Sequence, residues 1–595
     1  MRFGLALLGL TALLALAPSA EQAVDVAPRS SSLASTPDGR HLLVANPDSD
    51  SITIVDLADH RTIAEIPVGN NPQGVALDLA GRAAFVSNRD DDTLSVIDLL
   101  TRTVSDTWSV GDAPTGIVAD PQGRLYVANA GSASISVIRI EAGTRLATVP
   151  TAPRPRGLSL SPDGTTLYVT HFLSGRVSVI DTESLTLETV VSTGPDSNLS
   201  NGLVVDPNAP RAYLPQTRSN TANRALLFDT TVFPVVSVID LTTNTHLRRE
   251  RIALDVADRP VGIPFDAAVV PSQDDLYVVN AASNDLSVIS LDSGRAVAHL
   301  EVGDHPRGIA LSPDERFAYV NNTLSGTVSV IDTGAQQIVD TIDVTDIPLP
   351  ESILNGKRLF NSSARVDLAR DRWISCATCH FDGGMDGRTW FFRDGPRNTP
   401  SLLGVRETPP FHWSGDLDEL HDVERTIRTI QAGTGLAPGS DNCDPTCDQG
   451  PPNAGRSQDL DDLVAYLRTL NLPPNPNRNP DGTLSANAER GRTIFLSKET
   501  GCSSCHAPPL YTDRRRHDVG TGESPLETQG SSFDTPSLRG IYATAPYLHD
   551  GRAATLMDVL TENANDRHGI TSHLTDDRVA DLIAFLRSIS ASPDQ

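Results

Sequence analysis

The sequence predicts a multidomain chain: an all-β seven-bladed propeller followed by two small, mainly α domains in tandem. Three observations predict it. A unit of about 42 residues recurs seven times through the first half. The period-two pattern stops at Ile347-Pro-Leu-Pro350, and helical spacing follows. In that second half one scheme occurs twice: an opening helix, a C-x-x-C-H motif and a closing helix.

Residues 1–20 read as a secretory signal peptide. Arg2 supplies the basic start, Leu5 to Ala17 the apolar stretch, and Ala17-Pro18-Ser19-Ala20 a small-residue cleavage site. The apolar run is shorter than the ~20 residues a span needs, so cleavage is expected rather than anchoring. No later stretch is long and apolar enough to cross a bilayer. Periplasmic or otherwise exported location is therefore expected.

The repeats begin near Thr36, Asp78, Asp120, Ser161, Asp206, Pro271 and Ser312. Each holds a turn such as Ser-Pro-Asp-Gly, then Leu-Tyr-Val-x-Asn, then Val-Ser-Val-Ile-Asp, then a strand ending in Val-Gly-x-x-Pro-x-Gly. The intervals are 42, 42, 41, 45, 65 and 41 residues, the long one containing an insertion around Arg218–Phe233. In Thr327-Val-Ser-Val-Ile-Asp332 apolar and polar residues alternate for part of the run, as in a half-buried strand. Four short strands per ~40–45 residues mark a propeller blade, and seven copies span residues 28–346. A closed ring hides its end blades, so the capping repeats of a solenoid are not needed. Leu125-Tyr-Val-Ala-Asn129, Leu167-Tyr-Val-Thr170, Leu276-Tyr-Val-Val-Asn280 and Ala318-Tyr-Val-Asn-Asn322 resemble the YVTN family of seven-bladed propellers. The resemblance implies a fold but not a chemistry, because relatives range from lactonase-like proteins to a dehydrogenase subunit. His41, His171, His246, His299 and His305 fall on different strand positions and read as turn or surface residues. The insertion reads either as a binding face or as a cover over the docked second half.

Cys376-Ala-Thr-Cys379-His380 and Cys502-Ser-Ser-Cys505-His506 have the spacing at which two cysteine sulfurs meet the vinyl groups of one porphyrin and the next histidine ligates the iron. With six cysteines and 14 histidines, even one such motif is not expected by chance. Zinc half-sites and thioredoxin-like pairs are the competing readings. Two covalent c-type haems are thus the expected cofactors, and covalent attachment outside the cytoplasm agrees with export. Cys443 and Cys447 lack an adjacent histidine and are expected to form a local disulfide, a metal site being the alternative.

The first haem unit, residues 350–471, opens with a helix on which Ile353, Leu354, Arg358 and Phe360 lie near one face, and closes with the amphipathic run Asp459–Leu470. After a proline-rich linker the second, residues 481–590, opens at Glu489–Phe495 and closes at Asp576–Arg587. Opening and closing helices crossing beside the haem is how small cytochromes c pack, so both are read as mainly α cytochrome c-type domains. Inside each, Thr399-Pro-Ser-Leu-Leu-Gly404 recurs as Thr535-Pro-Ser-Leu-Arg-Gly540, and Thr408-Pro-Pro-Phe-His-Trp-Ser-Gly415 as Thr544-Ala-Pro-Tyr-Leu-His-Asp-Gly551.

These doubled segments resemble the bacterial di-haem cytochrome c peroxidase superfamily, which includes MauG, over about 350–588. The resemblance implies an oxidoreductase in which one haem accepts electrons and the other meets hydrogen peroxide beside an acid–base group. The proximal ligands are His380 and His506. The family's pocket Gln and Glu fall at Phe411 and His421, so the catalytic candidates are His421, whose ordinary pKa suits proton transfer near neutrality, with Glu419 and Glu424 beside it. The family's second-haem Met or Tyr ligand falls near Asn563, a poor iron ligand. His568 is the chosen substitute among His517, His549, Met557, His568 and His573, with His549 read as a packing residue. The first haem is five-coordinate or capped by His412 or His421; Met385 stands too close to His380 to swing over. Trp373, Trp390 and Trp413 are candidates for an aromatic bridge, and calcium is an additional cofactor candidate.

The net charge is −27, with Lys357 and Lys498 the only lysines. That excludes nucleic acid and anionic membrane surfaces as partners and favours a basic redox protein such as a small cytochrome, although acidity also serves solubility. The leading expectation is a peroxidase-like enzyme acting on peroxide or an oxidisable protein, with the propeller as docking platform. Alternatives are an electron carrier with both irons six-coordinate, and a propeller-borne lactonase-like hydrolase.

Overall fold

The computed structural model describes residues 28–224, 226–437 and 452–590. The expected signal peptide and the Cys443–Cys447 pair lie outside these residues. No helix among the described residues is long and apolar enough to cross a membrane.

Seven antiparallel sheets form the propeller, from Leu33–Ser35 to Gln337–Asp343. Six have four strands in sequence order. The fifth, which holds the insertion, has six. An apolar core fills each gap between neighbouring blades, and the ring closes where Leu33, Leu42 and Val44 of the first blade meet Tyr319, Val328 and Val330 of the seventh. Both faces of each inner sheet are therefore covered. This corrects the half-buried reading of Thr327–Asp332: Val328, Ser329, Val330 and Ile331 are all buried. Ser329 is tolerated because Asn322 Nδ2 donates to its hydroxyl at 2.9 Å. The same bond recurs from Asn46, Asn88, Asn129 and Asn280 to hydroxyls on the following strand. It explains the Asn that ends Tyr-Val-x-Asn and the serine in Val-Ser-Val.

In the fourth blade His171 replaces that Asn and meets Ser178 Oγ at 2.8 Å. His171 and His305 are thus buried core residues, not surface ones. The glycine of Pro-x-Gly lies where blades converge. A Cβ on Gly157 would stand 2.0 Å from Asn201 O, and one on Gly116 2.2 Å from Arg156 O. Residues 29–32 run down the axis. Ser30 N donates to Leu158 O, Ser31 pairs with Val75, and Arg29 binds Asp266 at 2.7 Å.

His299 on the outer strand of the sixth blade bridges two carboxylates, with Nδ1 on Asp258 and Nε2 3.2 Å from Asp285. Burial works against its charge, but the hydrogen bonds to Asp258 and Asp285 outweigh burial and raise its pKa to about 9. A raised folded-state pKa gives stabilisation that is complete below the unfolded value near 6.5 and lost as pH climbs through about 9. The linkage is worth up to roughly 3 kcal/mol. We expect the unfolding temperature to fall between pH 6.5 and 9.5, and His299→Gln to flatten that slope in a calorimetric pH series.

In the helical half, α1 (Glu351–Asn361) crosses α2 (Gln458–Leu467), and α3 (Ala486–Phe495) crosses α4 (Asp576–Ser588). Both crossings pivot on a glycine: a Cβ on Gly356 would lie 1.9 Å from Asp462 O, and one on Gly491 1.9 Å from Asp581 O. This changes the face predicted for α1. Gly356, Leu359 and Phe360 are buried, whereas Arg358 turns to the propeller and meets Asp304 at 3.1 Å.

The two units differ in what they pack against. The first shares a continuous core with the propeller, in which Phe172, Ile263 and Phe265 join Leu359, Ala377, Phe381 and Leu463. The second encloses its own core around Phe495, Tyr511, Leu582 and Phe585. The insertion Arg218–Phe233 extends a hairpin from the fifth blade onto the first unit. Leu226 and Phe228 pack with Trp373, Ile374 and Trp390, so of its two readings the cover is the one the contacts match.

Candidate functional site

Both C-x-x-C-H motifs line one cavity of about 1710 Å3. Each motif forms a single turn, Cys376–Cys379 followed directly by His380, and Cys502–Ser504 followed by Cys505 and then His506. His380 Nδ1 stands 3.3 Å from Gly384 O, and His506 Nδ1 3.1 Å from Tyr511 O. A ring that donates Nδ1–H to a carbonyl keeps the Nε2 lone pair for a metal. Burial holds both imidazoles neutral, with pKa values pushed down to about 4.

His568 faces His506 with ring centres 6.2 Å apart and planes inclined by 48°. Two imidazoles ligating one iron from opposite sides, through metal–nitrogen bonds of about 2 Å, require a separation of about this size. The fit is therefore good. Asn563 builds the loop that presents His568: its Oδ1 accepts His568 N at 2.8 Å, and its Nδ2 donates to His568 O and Gly569 O. Met557 is 41 % exposed. His517 pairs with Asp513 at 2.8 Å.

The first site is different. Among the described residues no ring contact of that kind is made by His380. The wall there carries Glu419, Gln431, His412, Asp416 and Arg425. Asp416 accepts from Arg425 at 2.9 Å and lies 3.1 Å from His412 Nδ1. Burial alone would raise the Asp416 pKa, but His412, Ser414 and Arg425 hold it well below the usual carboxylate range. Of the three predicted catalytic residues, only Glu419 lines the cavity. His421 is turned to α2, where its Nε2 lies 3.1 Å from Asp461. Glu424 is buried and receives Arg428 at 2.6 Å and Leu436 N at 2.8 Å. The spacing argument missed this because residues 420–429 are helical, so neighbours in sequence face different ways. Gln431, whose Nε2 lies 3.9 Å from Cys376 Sγ and whose Oε1 has no partner, was not legible at all.

Trp413 and His549 occupy matching places in the two repeated segments and touch at the junction of the units, ring centres 6.3 Å apart. The surrounding backbone is reciprocal: Asp534 N donates to Trp413 O at 2.9 Å, and Asn398 N to His549 O at 2.6 Å. His549 also stacks on Phe533 at 3.7 Å and meets Glu527 at 3.0 Å, and Glu527 binds Arg397 at 2.9 Å. Trp390 lines the cavity too, tied to Asp386. Trp373 lies in the core behind it. Met385 is buried and does not line the cavity. Cys505, Asp513 and His517 form a group of three possible metal ligands. One sulfur and one imidazole do not suit calcium, which takes six or more oxygens, roughly.

The fold and this cavity define an oxidoreductase that carries c-type haem. The comparisons agree. The model of the RoxA-like, cytochrome c-like family matches residues 532–569, the stretch that spans Phe533, His549 and His568. In sequence the chain is similar to the hydrazine synthase subunit gamma of Kuenenia stuttgartiensis, 31% identical over 40% of this chain and 78% of that one. It is also similar to the methylamine utilization protein MauG of Methylorubrum extorquens, 27% identical over 41% and 79%. The cytochrome c551 peroxidase of Pseudomonas aeruginosa is 27% identical over 40% and 77%. A solved chain of the Kuenenia stuttgartiensis hydrazine synthase gives a TM-score of 0.48 at 24% identity, covering 51% of this chain and 94% of that one. The chain belongs to the family of di-haem cytochrome c peroxidases, MauG and the hydrazine synthase gamma subunit, here joined to a seven-bladed propeller.

Proposed function

We propose that this is an exported enzyme with two covalent haems, one on Cys376, Cys379 and His380 and one on Cys502, Cys505 and His506. It passes electrons from a donor protein at the second site to peroxide, or an oxidised partner, at the first. The observation that carries the reading is the asymmetry across the cavity: His568 stands opposite His506 at 6.2 Å, and among the described residues no such ring faces His380. A doubly ligated iron suits electron entry, because little rearranges on reduction; an iron with a free face suits substrate.

Haem supplies the redox chemistry when bound. The chain supplies the rest. Glu419 and the His412–Asp416 pair stand on the cavity wall of the first site, where peroxide would need a proton moved between its oxygens. Trp413 and His549 give an aromatic connection between the sites. The propeller serves as the docking platform, and its insertion walls the first site with Leu226 and Leu227. A basic small cytochrome suits a chain of net charge −27. Export rests on residues 1–20 and on the motifs themselves.

Pyridine haemochrome quantitation should give two haems per chain. The ferric protein should show one low-spin and one high-spin population, the latter changing when peroxide is added. Two low-spin haems inert to peroxide would favour the electron carrier instead. With a protein donor, Trp413→Phe is expected to slow turnover roughly tenfold while leaving both ferric signals in place.

A further inference from the structure

The loop after His380 enters the mouth of the propeller channel. Phe381 is buried among Phe172, Phe265 and His305, with ring centres 4.9, 5.6 and 6.4 Å away. Asp382 follows it and faces three arginines from three blades. Arg89 donates to its carboxylate at 2.9 Å. Arg307 reaches it only at 3.4 and 3.5 Å, and Arg156 only at 3.9 Å. Arg156 and Arg307 are 9% and 12% exposed and sandwich aromatic rings, Arg156 on Phe172 at 4.5 Å and Arg307 on Phe265 at 4.9 Å.

The charges do not cancel. Three guanidinium groups share one carboxylate, which leaves two positive charges in surplus. Arg29 deeper in the channel is already neutralised by Asp266 at 2.7 Å. Adding Arg154, Asp112 and Asp92 at the edge of the cluster adds one positive and two negative charges and leaves a surplus of one. Burying unpaired charge is costly enough that proteins normally supply a counter-charge.

Arg156 and Arg307 both border a cavity of about 40 Å3 on the axis, closed on the far side by Ser30, Ser31 and Ser32 of the N-terminal stretch. Its wall draws on all seven blades, through Pro47, Gln73, Thr115, Gly157, Asn201, Phe265 and Thr323 with their neighbours. The wall offers hydroxyl and guanidinium donors. Its nearest carboxylate, Asp266, is engaged by Arg29, Ser31 and Ile309 N. The space suits one monatomic anion or one or two waters, since a water needs roughly 10–15 Å3 or more.

We propose that the propeller axis binds a single halide-sized monovalent anion, chloride in ordinary media, between Arg156 and Arg307. The site is independent of the reaction proposed above. The anion closes the charge balance behind the loop that carries His380, and so fastens the first haem unit to the propeller.

The test uses the haem-loaded full chain, crystallised from bromide in place of chloride. An anomalous bromide peak between Arg156 and Arg307 is expected. In parallel, unfolding is followed at constant ionic strength in chloride, bromide and gluconate. A loss of roughly 3–5 °C is expected in gluconate, whose anion is too large to enter. Arg307→Gln should abolish both the peak and the salt dependence. Ordered water alone in the channel of the wild-type crystal, with equal unfolding temperatures in the three salts, overturns the proposal whether or not the variant folds.

Discussion

His568→Ala is expected to turn the second haem from low-spin to high-spin without loosening its covalent attachment. In the proposed arrangement the Cys502 and Cys505 thioethers and His506 would remain, while the imidazole opposite His506 would be gone. Imidazole added to the solution should restore the low-spin signal, which a merely structural defect would not allow. Peroxide turnover driven by a protein donor should drop at least tenfold, about 1.4 kcal/mol in the barrier, because electron entry now carries a reorganisation cost. Electron paramagnetic resonance of the ferric protein reads the change directly. An unchanged low-spin signal would remove His568 as ligand and with it the assignment of the second site to electron entry. Asn563→Ala should produce a weaker form of the same effect, since Asn563 makes the hydrogen bonds that shape the His568 loop.

Gly491→Ala is expected to lower the unfolding temperature of the second unit while the propeller stays intact. The added carbon would meet Asp581 O at 1.9 Å and Asp581 C at 2.6 Å, both backbone atoms. No side chain can rotate away, so α3 and α4 must separate. Overpacking of this kind costs about 1–3 kcal/mol, and the helix-propensity gain of about 1 kcal/mol for Gly→Ala offsets part of it. For a unit of this size each kcal/mol lowers the midpoint by roughly 4–8 °C. Because the second unit has its own core, its transition should split from that of the propeller in a calorimetric scan. Gly356→Ala makes the matching clash with Asp462 O, but its unit shares a core with the propeller. That variant should lower the main transition instead of creating a second one.

The repeat period made the propeller legible, because five of the seven blades reuse the same Asn-to-hydroxyl bond and the Pro-x-Gly glycine packs closely where blades converge. The helix pairs were legible from amphipathic spacing, and the two C-x-x-C-H motifs, which line one cavity, from their rare residue pattern. Four things were not. The burial of both sheet faces was hidden, because alternation looks the same whether the polar face meets water or a hydroxyl-bonding Asn. Position on a helical turn defeated the choice of His421 and Glu424, which are sequence neighbours of Glu419 but face away from the cavity. Contacts between distant segments had no local signal at all. Arg397 and Glu527 are 130 residues apart, and Arg89 and Asp382 are 293 apart. Acidity over the whole chain likewise concealed a channel where arginine is in excess.

The reciprocal junction of the haem units has a consequence for how they can diverge. Trp413 and His549 sit across a local twofold, each held by a backbone bond from the strand beside the other. A duplicated gene normally frees one copy to change while the other keeps its job. Here that freedom is curtailed, because an altered side chain at either place repositions the partner's ring beside the cavity that both C-x-x-C-H motifs line. Tuning one reduction potential would drag the other along, so drift in this pair should proceed by matched double replacements, not by single steps.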